Sequence, residues 1–315
     1  MIESFTSIVG IDIGGTKCSV VKATRDGAIQ TRRVFVTGDF VSTIEKLRTC
    51  VEEIDPGTTP VFGISCGGPL DSERGLIQSP PNLPGWDNVP IVEFFTRHFG
   101  GKAFLMNDAN AGAIAEWKFG AAKGYKNIVF LTYGTGMGAG LILNGLLYEG
   151  TSGMAGEVGH IRLASDGPVG YGKAGSFEGF CSGGGIAQLG REKVRRCDGK
   201  VSFNKAGIDT ITAKDVAEAA KAGDTMAKEI IEESARYAGN ALATIIDILN
   251  PQIIVLGSFF VRCQELLEPI ITEVVRREAL DRSVNCCKIV PSGLGEQIGD
   301  YAAISIALYN IENSF

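Results

Sequence analysis

The sequence predicts an α/β protein built as two lobes of similar plan. Three observations carry this: buried β-rich runs alternate with helical patterns, one strand–glycine turn–strand unit occurs twice, and 315 residues suit about two domains. The first unit is Ile8–Ala23, where two β-rich runs flank Gly14-Gly15 and read as a hairpin. The second is Ile128–Leu143, centred on Gly134-Thr135-Gly136. A shift of about 120 residues sets Ile8 on Ile128, Asp12 on Thr132 and Gly14 on Gly134, a duplication rather than a solenoid.

The remaining elements follow in order. Val61–Cys66 reads as a buried strand entering Gly67-Gly68-Pro69, and Ser79–Trp86 is too proline-rich to be other than a loop. Phe104-Leu105-Met106 is a short strand running into Asn107-Asp108, and alanine-rich Ala109–Phe119 is a helix stopped by Gly120. Residues 150–185 are glycine-rich and mostly irregular. Thr212-x-x-Asp215 has the form of a helix N-terminus, and a long amphipathic helix is expected over Thr225–Leu249, ending before Pro251. Ile253–Leu256 is a buried strand closing on Gly257, and the apolar tail Asp300–Ile311 is expected to pack as a helix.

Composition narrows the function. Apolar residues are 44% and charged residues 21%, as in a soluble globular protein, and no apolar run approaches the ~18 residues of a membrane span. Met1–Phe5 lacks the basic start of a signal peptide, so a cytoplasmic location is expected. A net charge of -6 without a long basic block argues against a nucleic-acid partner. The short cluster Arg191, Lys193, Arg195, Arg196 reads as a solvated helix face. The eight cysteines Cys18, Cys50, Cys66, Cys181, Cys197, Cys263, Cys286 and Cys287 show no framework and read as reduced thiols. Cys286 and Cys287, if in a strand, would face opposite ways and could not share a metal.

The candidate site residues fall in three groups. Gly14, Gly15, Thr16, Lys17 and Gly134, Thr135, Gly136 expose amides suited to phosphate oxygens. Neither is a Walker loop or a dinucleotide fingerprint, because a strand follows each turn rather than a helix. Asp12, just ahead of the first turn, is a candidate to orient hydrated Mg²⁺. Asp108, at a strand-to-helix junction, reads either as a helix N-cap or as a base accepting a proton from a sugar hydroxyl. Glu157 and His160, in Ala155–His160, offer the donors and acceptors that sugar hydroxyls need.

Taken together, Asp12–Lys17, Asn82–Trp86, Asn107–Ala111, Gly134–Gly138 and Ala155–His160 resemble the ROK family (repressors, open reading frames and sugar kinases), over nearly the whole chain. The resemblance implies a two-lobed actin-like ATPase (ribonuclease H-like) fold, with ATP and sugar meeting in the interlobe cleft. It suggests one lobe over residues 1–118, completed by the C-terminal helix 300–315, and another over 119–299. It implies an ATP- and Mg²⁺-dependent hexose kinase acting at O6, with Asp108 as catalytic base. Asn107, Glu157, His160 and Glu178 would contact the sugar, with Gly68 and Asn82 nearby and Gly257 by the nucleotide. A homodimer is expected on the same ground. Glucose, N-acetylmannosamine, fructose and β-glucosides are all phosphorylated within this family, and the sugar is left open.

One departure stands out. Many members of the family carry C-x-C-G-x-x-G-C-x-E after the glycine–histidine pair, and its cysteines join that histidine on a structural zinc. Here the cysteine positions are Val169, Tyr171 and Ser176, so no zinc is expected, and packing around Tyr171 and Phe177 is expected to hold the loop. Three other readings compete, and the first, an actin-like ATPase that drives a conformational change, would need no loop carrying Glu157 and His160. A repressor would carry a winged helix–turn–helix ahead of the first motif, which here begins about ten residues from Met1, so the repressor reading is not expected. A non-catalytic sugar sensor would be expected to lose Asp12, Asp108 or a glycine turn, and all are present.

Overall fold

The computed structural model describes residues 7–196, 201–204 and 206–313. Met1–Phe5, Cys197 and the last two residues of the expected C-terminal helix lie outside them. The chain opens with β1 (Ser7–Ile13), β2 (Lys17–Ala23), β3 (Ile29–Val36), α1 (Phe40–Glu53), β4 (Pro60–Cys66), β5 (Leu70–Asp71) and β6 (Leu76–Ile77). Next come α2 (Ile91–Phe99), β7 (Lys102–Asn107), α3 (Asp108–Lys118), β8 (Ile128–Leu131), β9 (Ala139–Leu143) and β10 (Leu146–Leu147). The glycine-rich stretch holds β11 (Val169–Gly170), β12 (Lys173–Ala174) and α4 (Phe177–Cys181), followed by α5 (Gly183–Arg196), α6 (Ala213–Lys221) and α7 (Thr225–Leu249). The chain ends with β13 (Ile253–Leu256), α8 (Ser258–Glu278), α9 (Asp281–Val284), β14 (Lys288–Pro291) and α10 (Ile298–Asn313).

Two compact units result. One draws on the spans Met1–Gly124, Leu147–Gly153 and Gly293–Phe315, the other on Tyr125–Leu146 and Met154–Ser292. Each has a five-stranded mixed sheet, ordered β3-β2-β1-β4-β7 in the first and β10-β9-β8-β13-β14 in the second. Both glycine units are antiparallel hairpins, β1 with β2 (Ile13 opposite Cys18) and β8 with β9 (Leu131 opposite Ala139). In each sheet the hairpin's first strand then pairs in parallel with a later one, β1 with β4 and β8 with β13. The duplicated motif therefore marks the same position in two sheets of one plan.

In the first unit α10 packs against β1 and β4, and the sequence permits a close approach there. A Cβ on Gly63 of β4 would stand 2.0 Å from the Ala303 carbonyl oxygen, so only glycine fits beneath the helix. Helix α3 is buried along Ala109–Glu116, a run of small residues ending in a fully buried glutamate. The Glu116 carboxylate accepts from the amides of Ala121 (2.7 Å), Gly293 and Leu294 (3.2 Å each), tying the end of α3 to the segment that leads into α10. In the second unit α7 buries its apolar stripe, is capped by Asp224, and ends at Asn250 in the left-handed conformation, one residue before Pro251. Thr212 and Asp215 form a reciprocal capping box on α6.

Three expectations need adjustment. Cys286 and Cys287 are not in a strand but in the turn between α9 and β14, where the Cys286 thiol donates to the Arg282 and Ser283 carbonyls. The basic residues of α5 lie on a face matched by acids: Arg195 pairs with Asp209, and Lys193 lies between Glu229 and Glu233. Residues 150–185 are more ordered than their glycines suggest, since they hold a hairpin and two short helical turns. No helix among the described residues is long and apolar enough to cross a membrane.

Candidate active site

The first unit gathers carboxylates at one end of its sheet. Asp12 lies near the exit of β1, and Asn107-Asp108 lie where β7 becomes α3. In the parallel register Cys66, the last residue of β4, stands opposite both Ile13 and Asn107, so β4 separates the two acids by one strand. This is the carboxyl end of parallel strands, where open α/β sheets place their ligands. The N-cap of α3 is Asn107, whose side-chain oxygen accepts from the Ala109 amide at 2.9 Å. The capping reading of Asp108 is thus displaced by one residue, and Asp108 becomes an exposed first residue of the helix. Gly68 lies beside the Asn107 side chain, and Asn82 packs on Gly15.

The glycine turn itself is braced. Gly14 donates to the Lys17 carbonyl (3.2 Å), and its own carbonyl accepts from the Thr37 hydroxyl (2.6 Å). Gly15, Thr16 and Lys17 are exposed, leaving the outside of the turn open to a ligand. Asp12 faces the start of α10: a Cβ on Gly299 would stand 2.3 Å from its Oδ2. Desolvation, then the neighbouring charges of Asp108 and Asp300, raise the Asp12 pKa to about 7, against the pull of Ser65 and Lys17. Desolvation also raises Asp108, although solvent reaches it, and nearby backbone amides partly offset that rise. Asp300 is buried and satisfied, accepting from the Ser19 hydroxyl (2.7 Å) and from Arg32 Nε (2.6 Å).

The second unit places its own groups around its own turn. Gly134 donates to the Gly136 carbonyl (3.0 Å), and Thr132 spans the turn, its amide donating to the Gly138 carbonyl (3.0 Å) and its hydroxyl accepting from the Gly138 amide (3.1 Å). Gly257 donates to Leu131 (2.9 Å) and packs on the Thr132 carbonyl, so the exit of β13 meets the turn. Glu178, in the first turn of α4, accepts from the Met137 amide through Oε2 (2.9 Å) and lies against Gly136. Thr135 accepts through its carbonyl from Gly184, at the start of α5. Glu157 and His160 are both exposed, joined by a bond from the His160 amide to the Glu157 carbonyl (3.1 Å). The loop brace differs from expectation. Phe177 is buried, but Tyr171 sits at the hairpin tip with 71% of its surface exposed and does not hold the loop by packing.

Comparison with known proteins decides the lineage. The family model described as ROK family matches residues 8–309. The chain belongs to the ROK family. A glucokinase from Thermotoga maritima is 33% identical over 305 residues, covering 95% of this chain and 96% of its own. A xylose repressor from Caldicellulosiruptor bescii is 29% identical over 267 residues, covering 81% of this chain and 67% of its own. Among solved structures, the ROK hexokinase from Thermus thermophilus superposes with a TM-score of 0.81 at 27% identity, covering 98% of this chain and 100% of its own. The ROK family glucokinase from Streptomyces griseus in complex with glucose and AMPPNP gives 0.79 at 27% identity, covering 96% and 98%. The fold of this ROK protein is accordingly the actin-like ATPase fold of those kinases.

Sequence reasoning did not assign roles to Asp300, Ser65, Arg32 or Glu116. A lone acid in the first turn of an otherwise apolar helix was the available signal for Asp300. A serine inside the buried strand Pro60–Cys66 was the signal for Ser65. Arg32, on an exposed edge strand, gave none.

Proposed function

We propose that this ROK protein is a kinase that transfers the γ-phosphoryl group of ATP to a hydroxyl of a hexose or hexose derivative, with O6 as the acceptor and Asp108 as the general base. The observation that carries the reading is the Asp12–Asp108 arrangement at the ends of two strands with only β4 between them, with Asn107 relieving Asp108 of the capping role. Asp108 takes the hydroxyl proton as the sugar oxygen bonds to the γ-phosphorus and the bond to the ADP oxygen breaks. Its raised pKa suits it to hold that proton. Gly14–Lys17 and Gly134–Gly136 present amides to phosphate oxygens.

Asp12 fits a hydrated Mg²⁺, which takes few protein carboxylates and keeps several waters. Such an ion, when bound, neutralises charge developing on the phosphates. Asn107, Glu157, His160 and Glu178 serve as sugar contacts, with Gly68 and Asn82 close to Asn107 and the first turn. The glucokinase relatives favour glucose among hexoses, and N-acetylmannosamine is the next candidate.

Asp108→Asn tests the base directly. Turnover should fall at least ~10²-fold while sugar affinity, read by calorimetry, stays within about twofold. Turnover near wild type would remove Asp108 from that role. The repressor relative gives a second reading, a sugar-binding sensor without catalysis, which predicts sugar binding with no ADP release even in the unaltered protein.

A further inference from the structure

The segments carrying His160 and Glu178 run side by side. Phe177 donates its amide to the Ile161 carbonyl (2.8 Å), Leu163 and Ala164 both donate to Gly175 (2.8 and 3.1 Å), and Arg162 pairs with Ser176 as an antiparallel bridge. The hairpin β11–β12 projects from this ladder with only two paired positions of its own. Three side chains fasten it. Arg162 Nη1 donates to the carbonyls of Ala164 (3.4 Å) and Ser165 (3.3 Å) on one side and Ala174 (3.0 Å) on the other. Lys173 donates to the His160 carbonyl (2.6 Å). Gln188 of α5 both donates to the Val169 carbonyl (2.8 Å) and accepts from its amide (3.0 Å), adding a rung to the small sheet.

Lys173 and Arg162 both tie the two strands of the ladder together, and Arg162 reaches three carbonyls where Lys173 reaches one. Arg162 lies two residues from His160 and faces Ser176, two residues before Glu178. We propose that Arg162 is a positioning residue for the sugar site, its carbonyl clamp fixing the spacing between His160 and Glu178, with Gln188 anchoring the far end of the hairpin. The inference rests on the sugar-kinase reading above. A charged guanidinium nitrogen shared among carbonyls holds them better than a neutral donor, and the two hydrogens of Nη1 are divided among the three carbonyls. Glu178 keeps its separate bond to Met137, so loosening the clamp should act on sugar more than on nucleotide.

The test compares Arg162→Met and Arg162→Lys with the unaltered protein by steady-state kinetics and by amide hydrogen exchange. Arg162→Met should raise the sugar KM roughly tenfold, the scale of losing charge-assisted hydrogen bonds, with the ATP KM within about twofold. Exchange at Leu163, Ala164, Gly175 and Phe177 should quicken while β8 and β9 hold, and Arg162→Lys should recover part of both effects. An unchanged sugar KM overturns the inference, as does a parallel loss in both substrates with faster exchange throughout the unit. If the unaltered protein neither binds nor phosphorylates any sugar, the kinase reading fails and this inference with it. If it phosphorylates a sugar and Arg162→Met matches it, only this inference fails.

Discussion

The two glycine hairpins share a sheet position but differ in what surrounds them. At the first, Asp12 precedes the turn, and Asp108 and Asp300 add charge near it. At the second, the position matching Asp12 is Thr132, whose hydroxyl is spent inside the turn on Gly138. The braces differ too: a neutral Thr37 hydroxyl holds the first turn, and the Glu178 carboxylate holds the second. One plan thus carries two surroundings, with acids concentrated around the first turn and, at the second, a turn tied by Glu178 to the glycine-rich loop.

Substitutions at matched positions sharpen that contrast. Asp12→Asn should lower turnover roughly 10²-fold through lost charge at the metal and phosphates, whereas Thr132→Val should cost only several-fold through a looser turn. Equal losses would erase the division of roles. The braces should rank likewise. Glu178→Ala leaves the Met137 amide without its charged acceptor and should cost about 1.5–3 kcal/mol of stability by denaturant unfolding, against about 1 kcal/mol for Thr37→Val. A further effect is one of pH. Between its ordinary value of 3.8 and about 7 the folded protein holds the Asp12 proton more tightly than the unfolded chain, so stability falls as pH rises through that window. Asp12→Asn should therefore stabilise the protein at pH 8, on the order of 2 kcal/mol given partial solvent contact, and change little at pH 4.

Much of this fold was readable because its signals are local. The hairpins at Gly14 and Gly134, the α6 capping box at Thr212–Asp215 and the end of α7 before Pro251 each follow from residues adjacent in sequence. What was not readable depends on distant partners. The Asp300 charge is felt at Asp12 only because α10 packs closely on Gly10 of β1 and Gly63 of β4, and Arg32 reaches Asp300 from a strand 268 residues away. The loop brace was misplaced for the same reason. An aromatic such as Tyr171 suggests packing, but a two-residue turn between two-residue strands points it to solvent, and the bracing falls to Arg162 and Gln188. Asp108 was ambiguous because Asn and Asp cap helices about equally well, and which of the adjacent pair does so is decided by where β7 ends.

The most direct measurement is a coupled ADP-release assay with Mg-ATP over a panel of hexoses, N-acetylhexosamines and β-glucosides. ADP that depends on one or a few sugars, with little release in their absence, is the predicted result. Sugar-independent ADP release, or sugar binding by calorimetry with no ADP from any member, would contradict the account.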